Sequence, residues 1–229
     1  MSILYVVATP IGNLGDITIR ALDVLKEVDC IACEDTRHTL KLLNHFAIKK
    51  PLISFHQYSK IQKIEQIIST ITSGQNIALV TDAGTPGISD PGQVLIKAAY
   101  EAKIKVIPIP GVSALPTIIS ISGLEMSEFC FVGFLPHKKG RQTKLKQIIQ
   151  NTSPVVIYES PYRIKKLLKE LINMSGDRDI IVGRELTKKF EEIYRGKISE
   201  MLEQITEKGE FVVILPPIIG AKKKDNLND

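Results

Sequence analysis

Short apolar runs alternate with amphipathic segments through the first half of the chain, and this alternation constrains the fold more than any other feature. Residues 3–9 form a nearly continuous apolar run, which is typical of a strand buried on both faces. Helical segments at residues 16–27, 36–46, 61–71 and 91–101 separate this run from four others, and Asp16 is the predicted cap of the first helix. The predicted strands are residues 3–9, 30–34, 51–55, 77–81 and 105–109. The pattern therefore predicts a mainly parallel five-stranded sheet with right-handed crossovers.

The second half of the chain predicts another α/β domain, with a mixed sheet. Its strands are expected at residues 129–134, 154–158, 179–183 and 210–215, and its helices at 141–150, 161–173 and 199–205. The expected domains are residues 1–117 and 118–217, and residues 218–229 are expected to be a disordered basic tail.

Composition excludes several classes of protein. No apolar run approaches the roughly 18–20 residues of a membrane span, and the apolar N-terminus lacks the basic segment of a signal peptide. Three cysteines in 229 residues do not make a disulfide framework, so a reducing cytoplasm is expected. Cys30 and Cys33 are three apart on a predicted strand and so point to opposite faces, which disfavours shared metal or redox chemistry. The four histidines show no metal-binding spacing, and no metal is expected.

Unusual residues collect where the predicted strands of the first domain end. Parallel strands place their carboxyl ends at one edge of the sheet, where ligands of such folds bind. The most distinctive of these loops, TDAGTPGISDPG at residues 81–92, contains three glycines and two prolines, which allow close backbone approach to a small polar ligand on a rigid path. A tight turn with an accidental glycine cluster is the alternative. Neither a P-loop nor the G-x-G-x-x-G dinucleotide motif is present, which disfavours ordinary nucleotide-binding folds.

Seven segments, in order along the chain, resemble the tetrapyrrole methylase superfamily. They are ATPIGNLGDIT, CEDTR, TDAGTPGISDPG, IPGVSA, GFLP, YESPYR and GRELTKKFEE, and they run from residue 8 to residue 192. Within the superfamily the chain is similar to the bacterial ribosomal RNA small subunit methyltransferase I family. That resemblance implies two α/β domains with S-adenosyl-L-methionine in a cleft between them, and 2′-O-methylation of a cytidine ribose in the decoding region of 16S rRNA.

The resemblance also implies which residues contact the cofactor. In the first domain they are Pro10, Ala83, Gly84, Thr85, Ile88, Ser113 and Ala114; in the second they are Tyr158, Glu159 and Leu186.

A ribose hydroxyl needs a base or an oriented acceptor before it attacks a methyl group. Glu34 and Asp35 are the first candidates, with Arg37 to orient a phosphate or the carboxylates. The alternative for these three is a capped helix start. Two further possibilities are a second charged cluster, which could equally be a solvated face, and two isolated side chains. The cluster consists of Glu185, Lys188, Lys189 and Glu191, and the isolated side chains are His56 and Asp90.

Residues 137–146, HKKGRQTKLK, contain five Lys or Arg and no acid. Together with a net charge of +5, this stretch predicts an RNA-backbone patch, formed by Lys138, Lys139, Arg141 and Lys144. An exposed helix start is the alternative. Few aromatic residues are available for base stacking, and Tyr58, Tyr162 and Tyr194 are the possible ones.

Two other functions remain open from the sequence: a methylase of a tetrapyrrole or other small molecule on the same fold, and a non-catalytic ribosome-assembly factor. The CEDTR segment, the G-T-P spelling of the loop and the basic stretch favour RNA. The family likeness also implies a homodimer, with no membrane or DNA partner.

Overall fold

The computed structural model describes residues 2–55 and 61–218. His56, Tyr58 and all of the predicted disordered tail at residues 218–229 except Ile218 lie outside the described residues. The chain divides into two compact units on either side of the Ala114–Leu115 peptide bond. The boundary predicted from the sequence, between residues 117 and 118, falls within the helix that begins at Ala114.

The first unit is a five-stranded parallel sheet in the order β3-β2-β4-β1-β5, as the alternating pattern predicts. Its elements in chain order are β1 (Ile3–Val7), α1 (Ile19–Glu27), β2 (Cys30–Cys33), α2 (Thr36–His45), β3 (Leu52–Ser54), α3 (Ile61–Thr72), β4 (Ile77–Leu79), α4 (Gly92–Glu101), β5 (Lys105–Ile109) and α5 (Ala114–Ser120), which continues into the second unit.

Helices cover both faces of this sheet. One core cluster joins α1 and α2 to the strand residues of one face, including Cys33, and another joins α3 and α4 to the opposite face, including Cys30. The two cysteines therefore do point to opposite faces, as the strand period predicts. Because β1 and β4 are neighbours whose following helices lie on opposite faces, their loops diverge at the carboxyl edge, and such a divergence is where open α/β sheets bind ligands.

The first helix begins later than the sequence pattern predicts. Asp16 ends a short 3₁₀ turn, Leu14–Asp16, whereas Thr18 caps α1 by accepting a hydrogen bond from the Ala21 amide at 3.1 Å. Threonine and aspartate are both good caps, and the intervening turn decides between them.

The second unit has a mixed sheet in the order β6-β7-β10-β8-β9. Its elements are β6 (Cys130–Phe134), α6 (Arg141–Ile149), β7 (Val155–Glu159), α7 (Ile164–Ser175), β8 (Asp179–Arg184), β9 (Glu192–Lys197), α8 (Ile198–Gln204) and β10 (Phe211–Leu215). The β6–β7 pair is parallel and the other three pairs are antiparallel. Residues of α6, α7 and α8 pack with the sheet into one core cluster.

The sequence pattern missed β9. This strand, EIYRGK, lies at the edge of the sheet and is largely exposed, so it lacks the apolar run by which the other strands were found. Charged side chains are common on edge strands because they discourage pairing with another chain.

No described helix is both long and apolar enough to cross a membrane.

Candidate functional site

The loop at residues 81–92 is held against the end of β1. Thr9 and Gly84 exchange two backbone hydrogen bonds, of 2.9 and 3.0 Å, and Thr9 Oγ1 donates to the Thr81 carbonyl at 3.0 Å. Gly84 has φ +82°, in the left-handed region that favours glycine. The glycine therefore serves a defined backbone path, which argues against an accidental cluster.

A third loop, the one after β5, also packs against the end of β1. A Cβ at Gly111 would lie 2.8 Å from the Cβ of Ala8, so only glycine lets this loop approach the end of β1 so closely. Thr85 Oγ1 lies 3.5 Å from the carbonyl oxygen of Val112, and Ser113 is buried. The structure thus brings together the three loops that carry the predicted cofactor contacts of the first unit, which are Pro10, Ala83, Gly84, Thr85, Ile88, Ser113 and Ala114.

Asp90, a further candidate for the base, is used within the loop itself. Its carboxylate accepts hydrogen bonds from the amides of Gly87, at 2.8 and 2.9 Å, and of Gly92, at 2.7 Å. These bonds close the turn that leads into α4. Asp90 is therefore a structural residue of the loop and has no free role as a base.

A pocket of about 240 Å³ lies at the carboxyl ends of β1 and β4. The residues that line it include Pro10, His38, Thr39, Lys41, Thr81 and Asp82. Of the predicted site residues, only Pro10 is among them. Sequence reasoning missed His38 and Lys41, although their spacing of three after the CEDTR segment places them on one face of a helix that starts at the binding edge.

Glu34 lies next to this pocket, behind Thr81. Thr81 Oγ1 donates to Glu34 Oε2 at 3.2 Å. Partial burial and the nearby Asp82 carboxylate together raise the pKa of Glu34 above its ordinary value. A carboxylate with a raised pKa is a stronger base, as general-base catalysis of proton removal requires.

Asp35 and Arg37 have the structural role that was the alternative to catalysis. Asp35 caps α2 by accepting from the Arg37 amide at 2.8 Å, and its carboxylate also pairs with the Arg37 guanidinium at 2.7 Å. These hydrogen bonds hold the pKa of Asp35 well below its usual range, so it is a poor base. Of the three candidates in this segment, the geometry favours Glu34.

In the second unit, Glu159 is enclosed by arginines. Its side chain is fully buried and lies 2.7 Å from Arg163 Nη2 and 3.5 Å from Arg141 Nη1. Arg163 Nη1 donates to the Leu135 carbonyl at 2.9 Å, and Arg141 also pairs with Glu170 at 2.8 Å. Oε1 of Glu159 also accepts from the Ser160 amide at 2.9 Å, whereas Oε2 is buried without a hydrogen-bond partner among the described residues. Protein partners therefore satisfy this carboxylate only in part.

Arg141 does not belong to an exposed basic patch, which corrects its assignment as an RNA contact. Its side chain is only 3% exposed because the Glu159–Glu170 pair holds it inside the unit. Lys138 and Lys139 are exposed, and Lys144 is half-buried. The sequence pattern could not separate these residues, because burial of an arginine depends on acidic partners 18 and 29 positions away along the chain.

The charged side chains after β8 mainly form hydrogen bonds and ion pairs with neighbouring groups of the same unit. Glu185 Oε1 accepts from Lys188 Nζ at 2.9 Å and from the Glu210 amide at 2.9 Å, and Glu191 accepts from the Thr187 amide at 2.6 Å. Burial acts to lower the pKa of Lys188, but hydrogen bonds to Glu210 and Glu185 outweigh it and raise that pKa. Lys189 is exposed and lies over the ring of Phe190. The arrangement fits a structural cluster better than a catalytic one.

Two other predicted contacts are apolar or aromatic. Leu186 is buried, and Tyr158 makes edge-to-face contacts with Phe131 and Phe134. Of the possible stacking residues, Tyr162 is exposed, whereas Tyr194 is half-buried and its hydroxyl donates to Glu192. Across residues 2–55 and 61–218, no group of three or more His, Cys, Asp or Glu side chains is arranged to hold a metal ion.

The chain matches one family of known proteins over most of its length. Residues 3–202 match the family described as Tetrapyrrole (Corrin/Porphyrin) Methylases. A Synechocystis protein named ribosomal RNA small subunit methyltransferase I is 48% identical over 98% of this chain and 81% of its own length. A Thermotoga maritima protein of the same name is 44% identical over 94% of this chain and 98% of its own length.

A solved structure shares the fold. The X-ray structure of a cobalt precorrin-4 methyltransferase from cobalamin biosynthesis superposes with a TM-score of 0.69 at 17% identity, covering 93% of this chain and 94% of the other. Identity this low supports the likeness of fold alone.

Proposed function

The chain belongs to the tetrapyrrole (corrin/porphyrin) methylase family, and from that premise we propose that it methylates the RNA of the small ribosomal subunit. The proposed reaction is transfer of a methyl group from S-adenosyl-L-methionine to the 2′-hydroxyl of a cytidine in the decoding region of 16S rRNA. The observation that carries this proposal is the likeness of 44–48% identity, over nearly the whole chain, to proteins named ribosomal RNA small subunit methyltransferase I.

The residues at the strand ends of the first unit fit the cofactor. S-adenosyl-L-methionine carries a sulfonium, an ammonium and a carboxylate, so neutral groups that both donate and accept suit it better than one strong charge. The interlocked loops offer backbone amides and carbonyls, the Thr85 hydroxyl, and the side-chain-free backbone of Gly84 and Gly111. Pro10, residues 83–85, Ile88, Ser113 and Ala114 are proposed to hold it, with backbone and apolar contacts from Tyr158, Glu159 and Leu186.

When bound, the cofactor supplies an activated methyl group, and the protein must position an acceptor hydroxyl and receive its proton. Glu34 is the proposed acceptor of that proton. Its raised pKa strengthens it as a base, and the hydrogen bond from Thr81 fixes one of its carboxylate oxygens. Asp35 and Arg37, which pair with each other, are proposed to fix the start of α2 beside it.

Exposed cations of the second unit are proposed to contact the RNA backbone. Lys138 and Lys139 lie in the segment between β6 and α6, which follows the exposed Phe134. Each cation that neutralises a phosphate adds affinity that does not depend on sequence and that falls as salt rises.

Methyl transfer to isolated subunits tests the proposal. Tritiated S-adenosyl-L-methionine is incubated with the protein and small ribosomal subunits from cells that lack this gene, and the extracted RNA is hydrolysed with alkali. A 2′-O-methyl group blocks alkaline cleavage, so the label should appear in an alkali-stable dinucleotide. Label in mononucleotides would place the methyl group on a base. No label in the RNA, together with an absorbance shift on adding a porphyrinoid, would favour the small-molecule alternative, and no transfer at all would favour an assembly factor.

A further inference from the structure

One wall of the pocket beside the cofactor loops carries a lysine and a histidine. His38 and Lys41 are exposed side chains of α2 that line it, and the buried Thr39 lies between them. Within the described part of the chain, neither His38 nor Lys41 forms an ion pair, whereas the neighbouring Arg37 is neutralised by Asp35. This wall is therefore suited to an anion.

The rest of the pocket lining is partly apolar. Pro10 and Leu14 form part of it, and the whole pocket, at about 240 Å³, is smaller than the roughly 300–1,000 Å³ of sites for drug-sized ligands. A space of this size can take a single nucleoside unit. A partly apolar lining and a wall that carries a lysine match the ring and the phosphate of one nucleotide.

The pocket also lies next to the proposed base, and most of its lining residues differ from the proposed cofactor contacts. It shares Pro10 with them and contains none of residues 83–85, Ile88 or Ser113. Thr81, which lines the pocket, donates to the carboxylate of Glu34. A ligand in the pocket would therefore lie next to both the proposed base and the end of β1.

We infer that this pocket binds the acceptor nucleotide of the RNA, with Lys41 and His38 on its phosphate and its ribose toward Thr81 and Glu34. The inference rests on the proposed function and adds the residues that recognise the substrate. Asp82 also lines the pocket, and its carboxylate accepts a hydrogen bond from the Asp35 amide at 3.0 Å, which helps to hold the start of α2.

Replacement of one side chain at a time tests this inference. Lys41→Gln and His38→Gln keep most of the side-chain volume, and Lys26→Gln on α1 is the matched control, an exposed lysine outside the pocket. The measurements are KM and kcat for methyl transfer to small ribosomal subunits at several salt concentrations, and the calorimetric Kd for S-adenosyl-L-methionine.

Lys41→Gln should raise KM for the subunit about tenfold, the effect of losing one charge-assisted hydrogen bond. It should also make the salt dependence less steep by about 0.7 in the log–log slope, the value for one phosphate contact on a single strand. His38→Gln should raise KM in the same direction. Neither variant should change the Kd for the cofactor, and Lys26→Gln should match the unaltered protein.

Three results would overturn the inference. An unchanged KM for both pocket variants would mean that the wall contacts no RNA. A rise in the Kd for the cofactor that accompanies the rise in KM would mean that the pocket binds the cofactor. If the unaltered protein transfers no methyl group to subunits, the proposed function itself fails and the inference fails with it, whereas the first two results leave the proposed function standing.

Discussion

At the scale of single residues, the structure separates side chains that hold the fold from those free for chemistry. Asp35, Asp90 and Glu159 all appear in loops with a functional pattern, yet each carboxylate is occupied by backbone amides or arginines. Glu34 differs because burial and a neighbouring carboxylate destabilise its charge. The sequence could place Glu34 and Asp35 at the same edge but could not choose between them, since the choice depends on Thr81 and Asp82, 47 residues further along.

Replacement of Glu34 by Gln should lower kcat and leave the fold intact. Loss of a general base typically costs about a hundredfold to ten-thousandfold in rate. Because the Gln side chain can still accept the hydrogen bond from Thr81 and carries no buried charge, Tm at neutral pH should rise slightly. The comparison is a thermal melt and a methyl-transfer assay on the same sample; a Tm loss as large as that of a core variant would mean that Glu34 is structural.

The pH dependence of kcat/KM should reflect the ionisation of Glu34. The base acts as a carboxylate, so kcat/KM should fall as pH is lowered through its raised pKa, with a midpoint above the ordinary value of 4.5. For stability the sign is opposite: a pKa raised in the folded state favours folding below the unfolded-state pKa, and that contribution is lost as pH rises through the folded-state pKa. The gain in Tm of Glu34→Gln should therefore disappear in acid, and a gain that is the same at every pH would contradict this role.

Replacement of Glu159 by Ala should destabilise the second unit strongly. It leaves Arg141, a buried cation, with one partner fewer and takes from Arg163 its carboxylate partner, and breaking a buried ion pair on one side costs about 3–5 kcal/mol. Urea denaturation measures the effect, and Glu207→Ala, at an exposed position, is the control. A loss below about 1 kcal/mol, the median for surface pairs, would show that the pair is effectively solvated.

At the scale of elements, the alternating pattern of the first unit was sufficient to predict its parallel sheet, because every strand there is an apolar run between helices. The second unit was harder to predict. Its edge strand β9 has charged residues at both ends and little burial, so its presence depends on the neighbouring β8 and not on its own residues. The interlocking of three loops at one edge followed from parallel topology, whereas the pocket beside them needed the side chains of α2 as well.

Thr85→Arg should abolish binding of S-adenosyl-L-methionine. Thr85 is half-buried between the loop and the segment after β5, where a long cationic side chain would fill the space proposed for the cofactor. Isothermal calorimetry measures the affinity, and Thr85→Ser, which keeps the hydroxyl, is the matched control. An unchanged affinity in Thr85→Arg would remove the cofactor assignment from this loop.

Charge reversal of Lys138 and Lys139 together should weaken RNA binding and reduce its log–log salt slope by about 1.4, which is two single-strand contacts of about 0.7 each. Reversal of Lys166 and Lys169, two exposed lysines on α7, gives a control of equal charge change. If the two double variants weaken RNA binding equally, the lysines between β6 and α6 contribute only general surface charge and no specific contact. Arg141 is left unaltered, because its replacement would report on burial and not on RNA.

At the scale of the whole molecule, we propose that two chains associate into a homodimer. Sedimentation equilibrium should give twice the 25.4 kDa mass of the chain. If the measured mass at micromolar concentrations is that of one chain, the protein is a monomer. The proposed chemistry does not depend on this result.

The central claim is that this chain methylates a ribose hydroxyl in the RNA of the small ribosomal subunit. Mass-spectrometric mapping of 16S rRNA from cells that lack the gene tests it most directly, with complementation by the unaltered gene and by Glu34→Gln. We expect one 2′-O-methylcytidine in the decoding region to disappear, to return with the unaltered gene, and to stay absent or strongly reduced with Glu34→Gln. An identical methylation map with and without the gene would contradict the claim.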